Sequence, residues 1–271
     1  MRRKMFKGAL AVLTLAMLVM AATPARADII GQLGILDDSA NGGINPATGA
    51  AWGPGDTYRL AFYTQDKRNT LSNDIADYNS FVQSVAAGST AFPLLGNATW
   101  KVLGSTATVS ARQNTGTETN DGLPIFVLDG TTMIAQDSDD MWNGFPLRFP
   151  AATSPNGQNM YYSPYLNEDG VEGVTSGFGT DIATGSSSSG AISADPLGDP
   201  NGDGLRLNYG ASRANSSGRV WARFGKGNPN SDWSFYVLSE PLTVVPEPAS
   251  LTLLAMGGLL GLIGCGWRRR R

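Results

Sequence analysis

Residues 199–204 carry oxygen-bearing side chains at alternate positions, at Asp199, Asn201 and Asp203. In calcium-binding loops this spacing lets carboxylate and amide oxygens converge on one cation, and a glycine such as Gly204 permits the sharp turn. The segment is therefore a candidate calcium site.

The candidate calcium site departs from a full EF-hand loop, because Gly210 stands where the twelfth-position glutamate would be. A carboxylate elsewhere in the chain, such as Asp195 or Asp169, would have to complete the coordination sphere. Asp, Asn, Gly and Pro are also the usual residues of surface turns, so an Asx-rich turn without a metal ion is the alternative. Calcium that binds the folded chain would raise its melting temperature.

Two groups of acidic residues could act as acid and base on a glycosidic bond, which is the chemistry of polysaccharide-cleaving enzymes. The first group is Asp137, Asp139 and Asp140, and the second is Glu168, Asp169 and Glu172. No motif fixes the geometry of either group. The first stands where the start of a helix favours acidic residues and the second lies in a glycine-rich loop, so we expect solvated, non-catalytic roles for both.

The chain contains no histidine and a single cysteine, Cys265. The absence of histidine excludes His-based zinc sites, Ser-His and Cys-His nucleophile pairs, and imidazole general bases. Because Cys265 lies in the C-terminal segment, the sequence predicts no disulfide within residues 28–245. We therefore expect one domain that is held together by its core and has no enzymatic activity.

The net charge of −3 is an average over unlike segments. Nine of the 20 basic residues and one of the 23 acidic residues lie in residues 1–27 and 246–271. Eleven basic and 22 acidic residues remain in residues 28–245, which gives that segment a net charge of −11. An acidic surface disfavours nucleic acid as a partner and is compatible with solubility outside the cell.

Aromatic side chains are the remaining candidates for a binding surface, since their faces can stack on sugars or on a protein partner. Three tyrosines cluster in one loop, at Tyr161, Tyr162 and Tyr165. Three tryptophans lie near predicted elements, at Trp142, Trp221 and Trp233. For the tryptophans we favour burial in the core, whereas for the tyrosine loop the binding and structural interpretations stand equal.

The elements that must position these residues are mixed rather than purely β. Residues 57–64 alternate in the manner of a strand. Apolar residues at helical spacing then predict a helix that is capped by Ser72 or Asn73 and ends at Gly88. The dipeptide Asp129-Gly130 predicts a hairpin turn, because it supplies the positive φ angles that a tight turn needs.

The remaining predicted elements are shorter. We expect strands at residues 100–103, 106–109, 219–224, 233–238 and 242–245, and a short helix within residues 136–144. Residues 154–218 are dominated by Gly, Ser, Asn, Asp and Pro, which predicts long loops with few elements.

This order of elements resembles the C-type-lectin-like fold of bacterial secreted and endostatin-like modules. The segments that carry the resemblance are YRLAFYT, IADYNSFVQSVA, WKVLGSTATVSAR, PIFVLDGTTMIA, DMWNG and SDWSFYVLSE. The resemblance implies a single α+β domain with long loops, and an all-β sandwich is the alternative. The calcium-dependent sugar-binding triplets of lectins, Glu-Pro-Asn and Gln-Pro-Asp, are absent from the sequence.

The N-terminal residues 1–27 predict a signal peptide. A basic segment is followed by an apolar run and by a small-x-small cleavage site formed by Ala25 and Ala27. We therefore expect export through the Sec translocon, cleavage by signal peptidase and a mature chain that begins at Asp28.

The C-terminal residues 246–271 combine three features. Pro246, Glu247 and Pro248 are followed by the uncharged residues 249–267, which are long enough to cross a bilayer as a helix. The chain then ends in four arginines that should stay on the cytoplasmic side, Arg268, Arg269, Arg270 and Arg271. The sequence therefore predicts a transmembrane helix with residues 28–245 outside.

A Pro-Glu-Pro triplet, one membrane-length segment and a terminal basic cluster resemble the bacterial PEP-CTERM sorting tail. The resemblance implies exosortase as a partner, an inner-membrane anchor before processing, and the cell surface or the extracellular space afterwards. It also implies association with exopolysaccharide. We expect a structural or adhesive role, with a calcium-dependent carbohydrate-binding module or a polysaccharide-active enzyme as alternatives.

Overall fold

The computed structural model describes residues 44–53, 55–130, 132–143, 148–153, 159–161, 164–172, 181–199, 207–211, 222–223 and 225–244. All of them belong to one compact unit, Ile29–Val244. The predicted signal peptide and the predicted transmembrane helix lie outside the described residues.

Most of the regular structure is strand. The strands are β1 (Thr57–Tyr63), β2 (Trp100–Val102), β3 (Ile125–Val127), β4 (Met133–Ala135), β5 (Arg148–Thr153), β6 (Asn159–Tyr161), β7 (Asp181–Ala183), β8 (Leu207–Ala211), β9 (Gly225–Gly227), β10 (Ser234–Ser239) and β11 (Leu242–Thr243). The helices are α1 (Ile75–Gly88), α2 (Ala111–Thr115) and α3 (Ser138–Met141), with a 3-10 helix at Pro93–Asn97. The prediction of mixed helix and strand is confirmed.

Nine strands form one mixed sheet in the order β4-β3-β1-β10-β7-β8-β9. Two further strands pair off this path, β11 with β1 and β2 with β10. Parallel pairs join β1 to β3 and β10 to β7. Parallel neighbours need a crossover, and the segment that contains α1 provides it between β1 and β3. The strands β5 and β6 pair separately.

Strand β1 lies at the centre of the core. Its residues from Tyr58 to Tyr63 are all buried, which is the pattern of a strand covered on both faces. The aromatic rings of Trp52, Tyr58 and Phe126 pack edge to face beside it, with centroids 5.4 to 6.4 Å apart. Burial and these ring contacts stabilise the part of the sheet where β1 pairs with β3 and β10.

Burial on both faces of β1 includes a charged residue, Arg59, which is 3% exposed. Its Nε donates to Asp121 Oδ2 at 2.9 Å, and its Nη1 donates to the carbonyl oxygens of Ser239 at 2.9 Å and Thr115 at 3.3 Å. The ion pair and these hydrogen bonds offset the desolvation of the guanidinium group.

Helix α1 covers the outer edge of β2 with side-chain amides. Gln83 Oε1 accepts from Trp100 N and its Nε2 donates to Ala98 O, at 2.9 and 3.0 Å. One turn earlier, Asn79 Oδ1 accepts from Val102 N at 3.0 Å. Asn79 and Gln83 are four residues apart, so they lie on the same face of α1. Their side-chain amides bind backbone groups of β2 and Ala98 that would lack a hydrogen-bond partner if the edge of the strand were uncovered.

The sequence misplaced the cap of α1 and one strand. Asp74 is the N-cap, because its carboxylate accepts from Ala76 N at 2.9 Å, while the hydroxyl of Ser72 donates to Asp77. The strand predicted at residues 106–109 is wrong, since Thr106 N donates to Val109 O in a turn.

Within residues 154–218, for which long loops with few elements were predicted, the structure describes three short strands, β6, β7 and β8. It does not confirm a C-type-lectin-like fold. Among the described residues, no helix has both the length and the apolar character needed to cross a bilayer.

Candidate functional site

The candidate calcium site is only partly within the described residues. Asp199 is described, whereas Asn201 and Asp203 lie outside the described residues. Within the described part of the chain, no group of three or more acidic, histidine or cysteine side chains could hold a metal ion.

Both carboxylates proposed to complete the calcium site have partners of their own. Asp195 Oδ2 lies 2.7 Å from Lys226 Nζ. Asp169 Oδ1 accepts from the backbone of Thr90 and Ala91 and from Ser89 Oγ, at 2.9 to 3.2 Å. Calcium binding by Asp199, Asn201 and Asp203 therefore stays a prediction.

The first acidic group lies at the start of the short helix α3. Asp137 is the N-cap and accepts through Oδ1 from Asp140 N at 2.8 Å, and Asp140 Oδ2 accepts at 3.0 Å from the backbone N of Gln136, the residue before the cap. Asp139 lies 3.8 Å from the guanidinium of Arg112. These contacts support the expectation of a structural role for the group.

The second acidic group forms a turn that packs against the end of α1. Asn167 organises the turn, because its side-chain oxygen accepts from the backbone of Asp169 and Val171 at 3.1 and 2.7 Å. Gly170 follows at φ 71°, where glycine is favoured. The turn positions Glu168 and Asp169, while Glu172 is exposed.

Glu168 and Asp169 differ in electrostatic environment. Burial raises the pKa of Glu168 above its usual value, although Gln65 N donates to the carboxylate at 2.8 Å. For Asp169, burial acts in the same direction, but hydrogen bonds from Ala91, Ser89 and Thr90 outweigh it and lower the pKa.

The predicted aromatic candidates separate into two kinds. Trp142 is 4% exposed and its Nε1 donates to Thr117 Oγ1 at 2.9 Å, so it belongs to the core. Tyr165 is half-buried and donates to Asp129 Oδ2 at 3.2 Å. Tyr161 lies in β6, and Tyr162 and Trp221 lie outside the described residues.

Trp233 differs from the other tryptophans that the structure describes. Trp52, Trp100 and Trp142 are at most 4% exposed, whereas Trp233 is only half-buried. Its indole lies beside the half-buried ring of Tyr209, with centroids 5.2 Å apart and planes tilted by 32°. We call these two side chains the aromatic platform.

Glycines in β9 make room for the aromatic platform. A Cβ on Gly225 would lie 2.8 Å from Tyr209 Oη and 2.9 Å from Tyr209 Cζ, and a Cβ on Gly227 would overlap Trp233 Cη2 and Cζ2. Both rings therefore lie against the strand backbone. A glycine within a strand often marks such a close approach.

The orientation of Trp233 is fixed by hydrogen bonds. Its Nε1 donates to Asn228 O at 2.7 Å, and its backbone exchanges two hydrogen bonds with Arg68, at 2.9 and 3.1 Å. These hydrogen bonds fix the position of the indole. Sequence reasoning missed Tyr209, although the Gly-Lys-Gly of β9 was a usable signal.

The comparisons bear on the C-terminal segment. The C-terminal segment assigns this chain to the exported proteins that carry a membrane-anchored sorting signal. Residues 244–271 match the family described as the PEP-CTERM protein-sorting motif, so the chain carries an exosortase sorting signal. The matched range contains Pro246, Glu247 and Pro248 and the four terminal arginines. No curated protein matches the chain.

Proposed function

We propose that this chain is a non-enzymatic structural or adhesive protein of the cell surface or extracellular matrix, associated with exopolysaccharide. The observation that carries the proposal is the match of residues 244–271 to the PEP-CTERM protein-sorting motif. A C-terminal sorting signal delivers the part of the chain that precedes it. We therefore expect residues 28–245 to function after delivery.

The contacts of the acidic residues support a non-enzymatic role. Asp137 and Asp140 cap α3, and Asp169 binds the backbone after α1. Hydrolysis of a glycosidic bond needs two carboxyl groups that face the same substrate, one able to give a proton and one able to attack or activate water. These carboxylates accept backbone hydrogen bonds, which supports a structural role for them.

The delivery part of the proposal is tested in a bacterium that carries an exosortase. We expect the epitope-tagged full chain to be recovered from the cell surface or matrix, and to stay with the membrane in an exosortase deletion strain. Glu247→Ala should act like the deletion, with Glu240→Ala as the matched control outside the sorting signal. Equal matrix recovery with and without the exosortase would contradict the proposal.

The functional part is tested on cells and on purified protein. Deleting the gene should reduce cell aggregation or matrix retention, and re-expression should restore it. Incubation of the purified chain with a panel of bacterial polysaccharides should release no reducing ends. Release that disappears in Asp137→Asn or Glu168→Gln would establish the enzymatic alternative and overturn this proposal.

A further inference from the structure

The aromatic platform has the form of a ligand-binding surface. The rings of Trp233 and Tyr209 are in contact, with centroids 5.2 Å apart and planes tilted by 32°, and they lie against Gly227 and Gly225. Both side chains are half-buried, and the described sheet ends at β9. Large aromatic side chains at fixed positions are the usual anchors of binding sites.

The rim of the platform is polar. Asn228 and Asn230 are exposed and belong to the turn that follows β9, where Asn228 O accepts from the indole of Trp233. Asn230 N donates to Asn228 Oδ1 at 2.9 Å, which closes the turn. Flat apolar faces with amides at their edge suit a ligand that has C–H faces and a hydroxyl periphery.

The charges near the platform favour an uncharged ligand. Lys226 lies in β9 between the two glycines, but its ammonium group is paired with Asp195 at 2.7 Å. The guanidinium of Arg68 lies over the ring of Tyr78, 4.9 Å from the centroid, and donates to Asp77 O. The net charge of −11 for residues 28–245 repels anions.

We propose that the aromatic platform of Tyr209 and Trp233 binds a neutral polysaccharide by stacking sugar rings on the two aromatic faces. The C–H hydrogens on one face of a pyranose ring are apolar and slightly positive, and they meet the negative face of the aromatic ring. Stacking requires no charge on the ligand. This inference deepens the proposed function and rests on it, because it names the polysaccharide class and the site.

The binding experiment uses the full-length chain in a nonionic detergent. Affinity gels contain glucomannan, dextran or xyloglucan as neutral probes and alginate as an anionic probe, and tryptophan fluorescence gives the dissociation constant. We expect binding to at least one neutral probe and none to alginate. Trp233→Leu and Tyr209→Leu should each weaken binding by about tenfold or more.

Two further variants separate stacking from loss of folding. Trp233→Phe keeps a smaller ring and should lose less affinity than Trp233→Leu. Gly227→Ala keeps both aromatic side chains but adds a Cβ that must displace the indole, so it should also weaken binding. Thermal melting verifies that each variant is folded.

The matched control is Phe92→Leu. Phe92 is also half-buried, and its ring also lies over a glycine, since a Cβ on Gly170 would lie 2.8 Å from Phe92 Cε2. Its loss should leave polysaccharide binding unchanged.

Three results would overturn the inference: no binding to any neutral probe, preferential binding to alginate, or unchanged affinity in the folded Trp233 variants. Each of these leaves matrix delivery intact, so the site would fail while the proposed function stands. Failure of delivery in cells would instead remove the proposed function, even if the purified chain binds a glycan.

Discussion

Two acidic side chains at the start of α3 accept hydrogen bonds from the backbone of neighbouring residues. Asp137 accepts a hydrogen bond from Asp140 N, and Asp140 accepts one from Gln136 N. The carboxylates therefore stabilise the first turn of α3 and the chain that enters it, where the partial positive charge of the helix terminus favours them.

The N-cap of α3 leads to a first prediction. Asp137→Ala removes the N-cap of α3 and should lower the free energy of unfolding by about 1 kcal/mol. Asp139→Ala is the control on the same helix. It breaks only an exposed pair with Arg112 at 3.8 Å, so its effect should stay within about 0.5 kcal/mol. Urea unfolding of both variants measures the difference, and equal losses would contradict the assignment.

A second prediction concerns pH. Burial raises the pKa of Glu168, so the folded chain holds this proton more tightly than the unfolded chain. The stabilisation is present below the unfolded pKa and is lost as the pH rises through the folded pKa. Glu168→Gln keeps an uncharged side chain, so its stability relative to the original chain should increase as the pH rises above the pKa of an unfolded glutamate, about 4.

Asp169→Asn serves as the control of opposite sign. Because the pKa of Asp169 is lowered, its stabilisation is present above the unfolded pKa and is lost as the pH falls. This variant should therefore lose most stability near neutral pH and least in acid. Unfolding curves across the pH range should diverge in opposite directions, and parallel curves for both variants would refute the linkage.

At the scale of elements, α1 and β2 depend on each other through the amides of the helix. Gln83→Leu would keep the side-chain volume but leave Trp100 N and Ala98 O without their partner. We expect a loss of about 2 kcal/mol in the free energy of unfolding, because buried backbone groups would lose their hydrogen bonds.

The control for Gln83→Leu is Ser80→Ala on the exposed face of the same helix. It should leave stability unchanged or raise it by a few tenths of a kcal/mol, since alanine is the better helix former. Chemical denaturation of the two variants provides the measurement. A Gln83→Leu variant as stable as the Ser80→Ala variant would show that the amide contacts contribute nothing.

Elements with a strong local pattern were predictable from sequence. Strand β1, helix α1 and the hairpin of β3 and β4 follow from alternation, helical spacing and an Asp-Gly turn. Strand β7 was missed, because its three residues lie in a stretch rich in Gly and Ser and are stabilised by pairing with Ser234 and Phe235 of β10. Such pairing has no local signature.

The candidate site was less predictable than the fold. Sequence alone could not separate Trp233 from the buried Trp142, because both are tryptophans near predicted elements. What distinguishes Trp233 is the chain position opposite it, where Gly227 allows the indole to lie against a backbone. This contact between Gly227 of β9 and Trp233, the residue before β10, depends on the tertiary structure and has no signature in the sequence.

At the scale of the whole molecule, Val244 belongs both to the described fold and to the matched sorting motif. Val244 is 2% exposed, and its backbone exchanges hydrogen bonds with Gly55 and Asp56 at 2.8 and 2.9 Å. The residues after it belong to the sorting signal. We infer that residues 242–244 serve the fold and that the following residues serve delivery.

Two truncations test this division. A chain that stops after Val245 should unfold at the same denaturant concentration as the full chain. A chain that stops after Pro241 loses β11 and the buried Val244, and should be less stable by at least about 2 kcal/mol. Equal stability of the two truncated chains would place the end of the fold before β11.

The pairing of β1 with β10 also sets an order of events in time. Phe235 N donates to Thr64 Oγ1 across 171 positions, and β10 joins β1 to β7. A chain exported from its N-terminus cannot close the centre of this sheet until almost all of residues 28–245 has crossed the membrane. Contacts so distant in sequence form late. For export from the N-terminus through the predicted Sec route, we therefore expect the sheet to close only when the sorting signal has reached the membrane.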